Sequence, residues 1–458
     1  MTDIIFISFE FPPLSAGGIF RSKEFAKNLP AEGITPHVYC LSPDHYENVY
    51  PGSKKDEQLL NDLSGRGVRI IPVPIDPIWN LYNTPLKRFW NIYFSIYRGN
   101  EHRKWKHHLF RKIKEDAATV NFKAVLVTAP PFGMLPLALE VAKVLGLPLI
   151  LDMRDAWAFW NSTGFGTYLH YLTTVKKERE LFRKADVIIA TSEQTITDWI
   201  GLHPSIPSTK YTCITNGFNE EIVNEIKTEI TVKPIPHSGK FDIVYVGSFY
   251  FSPETRENML TPALKRKRLR KLQYYPRIQD WLYRSPHFFL KAVARLFEIE
   301  PGLRKHVKIK FAGHRYKWLD DMVAEFGLQN EVVFLGFMKH AEALELQKAA
   351  DALLITSAKV YNGRDCFIAG KTFEYITMNR PIFSFVSEGA QKDILKDTGL
   401  SIEFEPDNTE EAALKLNRIF TEGLKLKPNV PYIETFGRKK LTKKLADTIK
   451  EVIEKRNR

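Results

Sequence analysis

Residues 124–151 read AVLVTAPPFGMLPLALEVAKVLGLPLIL, the longest apolar region of a 458-residue chain. A membrane-spanning helix needs about 20 consecutive apolar residues, and here Pro130, Pro131, Glu140, Lys143 and Pro148 interrupt the run. The same interruptions suit a strand, a helix and a second strand in succession. Strands this apolar, without alternation, belong to parallel sheets covered on both faces.

Working outward, the pattern repeats. Ile4–Ser8 reads as a buried strand, followed by a loop at 10–18 and a helix over Ile19–Leu29. Short apolar runs at His37–Leu41, Val68–Val73, Ala124–Val127, Leu149–Leu151 and Val187–Ala190 continue the series. Residues 218–240 are polar and end in VKPIPHSGK, which predicts a linker. A second series then runs through Asp242–Val246, Val307–Ala312, Val332–Leu335, Ala352–Ile355 and Pro381–Val386, and Leu441–Arg458 reads as a closing amphipathic helix. Alternating strands and helices predict an α/β chain of two doubly wound, Rossmann-like parallel-sheet domains. Their expected bounds are 1–217 and 241–432, with 433–458 returning towards the first domain. Open parallel sheets bind ligands at the carboxyl ends of their strands, so two in series are expected to face across a ligand cleft.

Composition narrows the class. Hydrophobic residues make up 44% and charged residues 26%, which excludes a disordered chain. The net charge of +13 is concentrated: residues 86–114 carry +8 and residues 252–284 carry +6, leaving −1 for the rest. Cys40, Cys213 and Cys366 lie far apart with no CxxC pair, indicating neither a disulfide framework nor a zinc knuckle. Asp3 and Glu10 flank the first apolar run, unlike a signal peptide. The expected compartment is the cytoplasm.

The first strand leads into Pro12-Pro13-Leu14-Ser15-Ala16-Gly17-Gly18 and a helix bearing Arg21. Glycines at a strand-to-helix turn let backbone N–H groups approach an anion; an ordinary glycine-rich helix start is the equal alternative. The motif is not GxGxxG, which disfavours a dinucleotide dehydrogenase. Strands also meet glycine at Gly247-Ser248, at Gly313 and at Gly336-Phe337-Met338. Gly370-Lys371-Thr372-Phe373-Glu374-Tyr375 reads as a helix N-terminus with Glu374 on its first turn. Lys371 there suits a phosphate and Glu374 a ribose, while interaction of Glu374 with the helix dipole is the plain alternative.

Together FPPLSAGG (11–18), DMRDAW (152–157), ADVIIATSE (185–193), ITNGFN (214–219), VYVGSFY (244–250) and above all GKTFEYITMNRPI (370–382) resemble retaining glycosyltransferases of family 4, which have the GT-B fold. The resemblance runs in register from Phe9 to about Val386. It implies a nucleoside-diphosphate sugar held mainly by the second domain and an acceptor held mainly by the first. It assigns Glu374 to the nucleotide ribose, Gly17 and Gly18 to a loop over the diphosphate, and Phe337 and Met338 to the nucleobase. Asn216 falls near the interdomain crossing, Gly247, Ser248 and Gly370 line the donor side, and Asp155 faces the acceptor. The implied chemistry is transfer with retention through an oxocarbenium-like state, with no metal and no further cofactor.

Two positions depart from that family. The first Glu of its Glu-x7-Glu pattern is Cys366 here, so either Asp365 substitutes from the next position or the sugar is held differently. Its Arg after the strand-end glycine is Ser248, which leaves Arg256, Arg284 and Lys371 as competing cations for the diphosphate. Asp155 is either a general base or a carboxylate paired with Arg154 or a helix N-terminus.

In the first basic run, Phe89, Trp90, Tyr93, Phe94 and Tyr97 fall within about 140° of one helical face. Aromatics beside Lys and Arg suit an anionic membrane interface, although packing on their own domain is the ordinary alternative. The second run, Lys265–Lys271 with Tyr274 and Tyr275, sits in an insertion relative to the family. No nucleic-acid module accompanies it, so no nucleic acid is expected as partner. The sequence thus reads as a glycosyltransferase peripheral on the inner membrane face, acting on a glycan or lipid-linked acceptor in cell-surface polysaccharide synthesis. The rivals are a GT-B sugar-nucleotide epimerase and a catalytically weakened binding subunit.

Overall fold

A computed structural model describes residues 1–14, 18–53, 55–76, 103–159, 164–223, 225–235, 239–267 and 270–457. It divides into two compact units. One comprises Met1–Asn216, Leu272–Pro276 and Arg438–Arg458; the other comprises Gly217–Lys271 and Arg277–Gly437.

The first unit is built on seven parallel strands: β1 (Thr2–Ile7), β2 (Ile34–Leu41), β3 (Arg69–Val73), β4 (Val125–Ala129), β5 (Leu149–Met153), β6 (Val187–Ala190) and β7 (Tyr211–Cys213). Their order is β3-β2-β1-β4-β5-β6-β7, so the winding reverses between β1 and β4. Side chains alternate across the sheet as a strand requires. Ile5, Ile7, Val125 and Val127 enter one core, and Ile4, Phe6, Ala124 and Leu126 enter the other. The second of these cores is completed by Leu441, Leu445, Ala446 and Ile449 of helix Arg438–Asn457. The segment 134–145 is a helix closed by Gly146 in the left-handed region, φ 67°, the conformation in which glycine lacks the Cβ penalty.

In the second unit, strands β9 (Phe241–Val246), β11 (Val307–Ala312), β12 (Val332–Gly336), β13 (Ala352–Thr356), β15 (Ile382–Phe385) and β16 (Ser401–Glu403) form a parallel sheet. Its order is β12-β11-β9-β13-β15-β16, and the reversal falls between β9 and β13. Residues 218–240 are part of this unit, and β8 (Ile230–Val232) pairs antiparallel with β17 (Leu424–Leu426). Two short strands, β10 (Gln279–Asp280) and β14 (Lys359–Val360), pair with each other.

The basic runs are partly absorbed by their own units. Residues 86–102, with the aromatics Phe89 to Tyr97, lie outside the described residues. The remainder forms helix Arg103–Ala117, whose Trp105, Leu109 and Ile113 are buried; Trp105 Nε1 donates to Val73 O at 3.1 Å. Lys106 pairs with Glu140 at 2.6 Å and Lys112 with Asp116 at 2.9 Å. In the second run Arg270 pairs with Glu254 at 2.7 Å, whereas Lys265, Lys267 and Lys271 are exposed. Among the described residues no helix is long and apolar enough to cross a membrane.

Candidate active site

In the second unit the carboxyl ends of β9, β11 and β12 all turn at glycine: Gly247 at φ 100°, Gly313 and Gly336 at φ 73°. A Cβ on Gly313 would stand 2.5 Å from the Gly247 carbonyl oxygen, so these two turns pack backbone on backbone.

Helix Gly370–Tyr375 is locked beside this rim. The Tyr375 hydroxyl accepts from Val246 N at 2.9 Å, so the helix is fastened to the end of β9. Gln391 fixes its other end: its Oε1 accepts from Ala369 N at 2.8 Å and from the Thr372 hydroxyl at 3.3 Å, while its Nε2 donates to Thr356 O at 3.2 Å. A lone Gln carries no sequence signal, so this brace was not legible beforehand.

Lys371 is thereby aimed inward. Its Nζ lies 3.6 Å from the centroid of the Tyr245 ring, a cation–π contact, and 3.1 Å from where a Gly247 Cβ would stand. The Nζ is enclosed and has no hydrogen-bond partner among the described residues. Burial lowers its pKa to about 7, with Glu374 opposing the shift. Such an enclosed ammonium, held by a ring face alone, leaves its hydrogen-bonding capacity unused among the described residues.

Glu374 stands three residues further on the same helical face. It occupies the fifth of six helical positions, not the first turn expected from the sequence, so favourable interaction with the helix N-terminus does not account for it. Its side chain is 32% exposed; Oε2 accepts from the buried Gln347 at 3.4 Å, which leaves acceptor capacity for a hydroxyl.

The competing cations separate cleanly. Arg256 is engaged by the buried Asp280 in a two-pronged pair, Nε–Oδ1 at 2.6 Å and Nη2–Oδ2 at 2.9 Å. Arg284 has its backbone oxygen bonded by the Thr356 hydroxyl at 2.9 Å, at the end of β13. Its guanidinium lies over the Trp281 and Phe367 rings at 5.5 and 5.7 Å. Burial holds the Tyr245 phenol well above its ordinary range and the Arg284 charge opposes that rise, so Arg284 and Lys371 both act on the surroundings of Tyr245. Ser248 accepts weakly from His314 N, at 3.4 Å. Phe337 is 74% exposed and Met338 half-buried. Asp365 and Cys366 are both buried, and Asp365 Oδ1 accepts from Phe367 N at 3.1 Å.

In the first unit, Gly17 lies outside the described residues. Gly18 precedes helix Ile19–Asn28, and a Cβ there would collide with the Arg154 guanidinium, which donates to the Gly18 and Pro130 oxygens. Arg21, expected to meet substrate, is instead buried in a protein network. Its Nε and Nη2 grip Asp152 at 2.8 to 3.1 Å, Nη2 also reaches Ile214 O at 2.8 Å, and Nη1 reaches Thr215 O at 2.6 Å and Asn216 Oδ1 at 3.5 Å. Arg21 therefore ties the first helix to the ends of β5 and β7. Asp152 accepts a further bond from the Thr128 hydroxyl at 2.9 Å. Asp155 follows β5 and is half-buried; Arg154 reaches Glu10 at 3.4 Å. Glu178, fully buried, accepts from Ala158 N at 3.1 Å and pairs with His203 at 2.8 Å, which anchors the loop beyond Asp155.

Residues 272–422, about a third of the chain, match the family model described as glycosyl transferases group 1. The second unit carries a glycosyltransferase domain. Among solved structures the whole chain superposes on WaaG, a glycosyltransferase involved in lipopolysaccharide biosynthesis, at TM-score 0.51 and 16% identity, covering 99% of this chain and 98% of that one. The apo form of the lipopolysaccharide outer core galactosyltransferase WaaB aligns at TM-score 0.54 and 14% identity over 98% and 99% of the chains. A structure described as "Trehalose-6-phosphate from E. coli bound with UDP-2-fluoro glucose" aligns at 0.53 and 11% over 99% and 97%. These likenesses show the GT-B fold of the chain, two Rossmann-like units each with a parallel sheet. No curated protein matches the chain in sequence.

Proposed function

We propose that the chain is a retaining glycosyltransferase that moves a sugar from a nucleoside-diphosphate sugar to a hydroxyl of a glycan or lipid-linked acceptor, in cell-surface polysaccharide synthesis. The observation that carries the donor reading is Lys371, whose enclosed ammonium beside the Gly247 turn has no hydrogen-bond acceptor among the described residues, with Arg284, which has no ion pair among those residues, as the second cation near Tyr245. Glu374 lies one helical turn from Lys371 for the ribose hydroxyls. Arg256 drops out of the cation set, since Asp280 occupies it. Phe337 offers an exposed ring to the base, and Asp155 belongs to the acceptor side.

In the proposed step the bond from the anomeric carbon to the diphosphate oxygen breaks and the acceptor oxygen bonds to the same face of that carbon. The acceptor proton passes to the departing diphosphate. Lys371 and Arg284 stabilise the charge that builds on the leaving group. The site is proposed to need no metal, and its work is to take place at an inner membrane face.

Calorimetric titration with UDP, GDP, ADP and CMP, each in EDTA, tests the reading. Saturable metal-free binding of one nucleoside diphosphate, lost in K371M and R284A, is expected. No binding of any of them by folded protein would overturn the donor reading.

A further inference from the structure

Helix Tyr168–Lys184 in the first unit is set firmly on its own core. Thr167 caps it, accepting from His170 N, and Val175, Glu178, Leu181 and Phe182 are buried beneath it. Its outward face has an uncommon arrangement. Tyr168, Leu169 and Leu172 are 54%, 57% and 43% exposed, and they are followed by exposed Lys176, Arg179 and Arg183. At 100° per residue these six side chains fall within about 100° of one another. The first two turns of that face are therefore apolar and the rest is cationic, with Glu180 at its edge. None of the three cations has an ion-pair partner among the described residues.

A second segment widens the apolar end. Phe165 and Tyr274 exchange backbone hydrogen bonds at 2.8 and 2.9 Å, and the Tyr274 ring packs at 4.9 Å from both Tyr168 and Tyr171. This places Leu272, 74% exposed, on the same unit, directly after the basic run Lys265–Lys271 in sequence. Exposed leucines and a tyrosine clustered beside unpaired cations fit one kind of surface: apolar groups enter the acyl boundary while cations meet lipid phosphates.

We infer that the outward face of helix Tyr168–Lys184, with Leu272, docks on an anionic phospholipid bilayer. The inference rests on the membrane-side reading of the proposed function and supplies it with a defined contact, separate from residues 86–114.

Flotation with phosphatidylglycerol-containing vesicles against phosphatidylcholine alone tests it. The protein should float with the anionic vesicles, and L169E/L172E should lower the bound fraction at least about tenfold at unchanged circular dichroism. K176E/R179E/R183E should remove the preference for anionic lipid. Undiminished flotation of L169E/L172E would overturn the inference, as would a wild type that floats with neither vesicle. A change in oligomeric mass for L169E/L172E with vesicle binding intact would also overturn it, in favour of a protein contact. The nucleotide titration on the same samples separates the two readings: flotation that depends on Leu169 and Leu172 in a protein that binds no nucleotide upholds the docking face while the donor reading fails.

Discussion

The ammonium of Lys371 rests 3.6 Å above the centre of the Tyr245 ring, enclosed and with no hydrogen-bond acceptor among the described residues. Burial that lowers a lysine pKa to about 7 means the folded protein holds fewer protons than the unfolded chain between that value and the ordinary 10.5. Stability therefore rises with pH across this window. K371M should be more stable than the wild type, by most at and below pH 7, with the gain shrinking towards pH 10.5. Urea melts of both proteins at pH 6, 8 and 10 would show this.

The same lysine gives nucleotide binding a pH signature. A bound diphosphate favours the charged form, so binding near pH 7 should draw up a fraction of a proton and weaken as pH rises above 7. Titration in phosphate-free buffers of differing ionisation enthalpy reads the uptake directly. K371M should show none and bind at least about tenfold more weakly.

Arg256 and Arg284 should part company. R256A leaves the buried Asp280 carboxylate without its pair and should cost about 2 kcal/mol of stability with nucleotide affinity nearly unchanged. R284A should do the reverse, lowering affinity about tenfold or more at nearly constant melting temperature. Melting curves beside titrations decide it, and the opposite pattern would return Arg256 to the site.

Arg21 should behave as a structural residue. R21A strips the partner from Asp152, whose side chain is 1% exposed, and should cost about 3–5 kcal/mol. R21K cannot reproduce the fork that serves Asp152, Thr215 and Ile214 together, so it should recover little. Denaturant midpoints of the two variants check both statements.

At position 366 the obvious substitution carries a penalty. Cys366 is 4% exposed, and burial of a new carboxylate disfavours its charged form. C366E should unfold at lower temperature than the wild type and recover in the presence of donor sugar if the carboxylate finds a hydroxyl there. Melts with and without each nucleotide sugar measure the recovery, and an equal response to the nucleotide alone would remove position 366 from the sugar.

Both Val187–Ala190 and Val307–Ala312 lie where the runs placed them: the first was readable because it is apolar along its whole length, the second because Lys308 and Lys310 alternate with apolar residues. The short strands β7, β8, β16 and β17, three residues each, were not, since their side chains carry no contrast with neighbouring loops. Arg21 looked like an anion ligand because it follows glycines on a helix. The signal against that reading was Asp152, a carboxylate inside an apolar strand, which has to find a cation. Lys371 and Glu374 were singled out from the segment GKTFEY and the resemblance it carries, whereas Gln391 and Gln347 act through geometry that only the fold creates.

Helix Arg438–Asn457 fills the same core as Ile4 and Phe6, so the earliest strand to be synthesised waits for a partner made more than 400 residues later. A nascent chain carrying only residues 1–216 would have Phe25, Ala26 and Leu29 on that side of the sheet but lack Leu441, Leu445, Ala446 and Ile449, leaving the core of Ile4, Phe6, Leu126 and Ile150 incomplete. The ribosome can therefore complete the second unit's core before the first unit's, and the interval between them is when this chain most needs protection by chaperones.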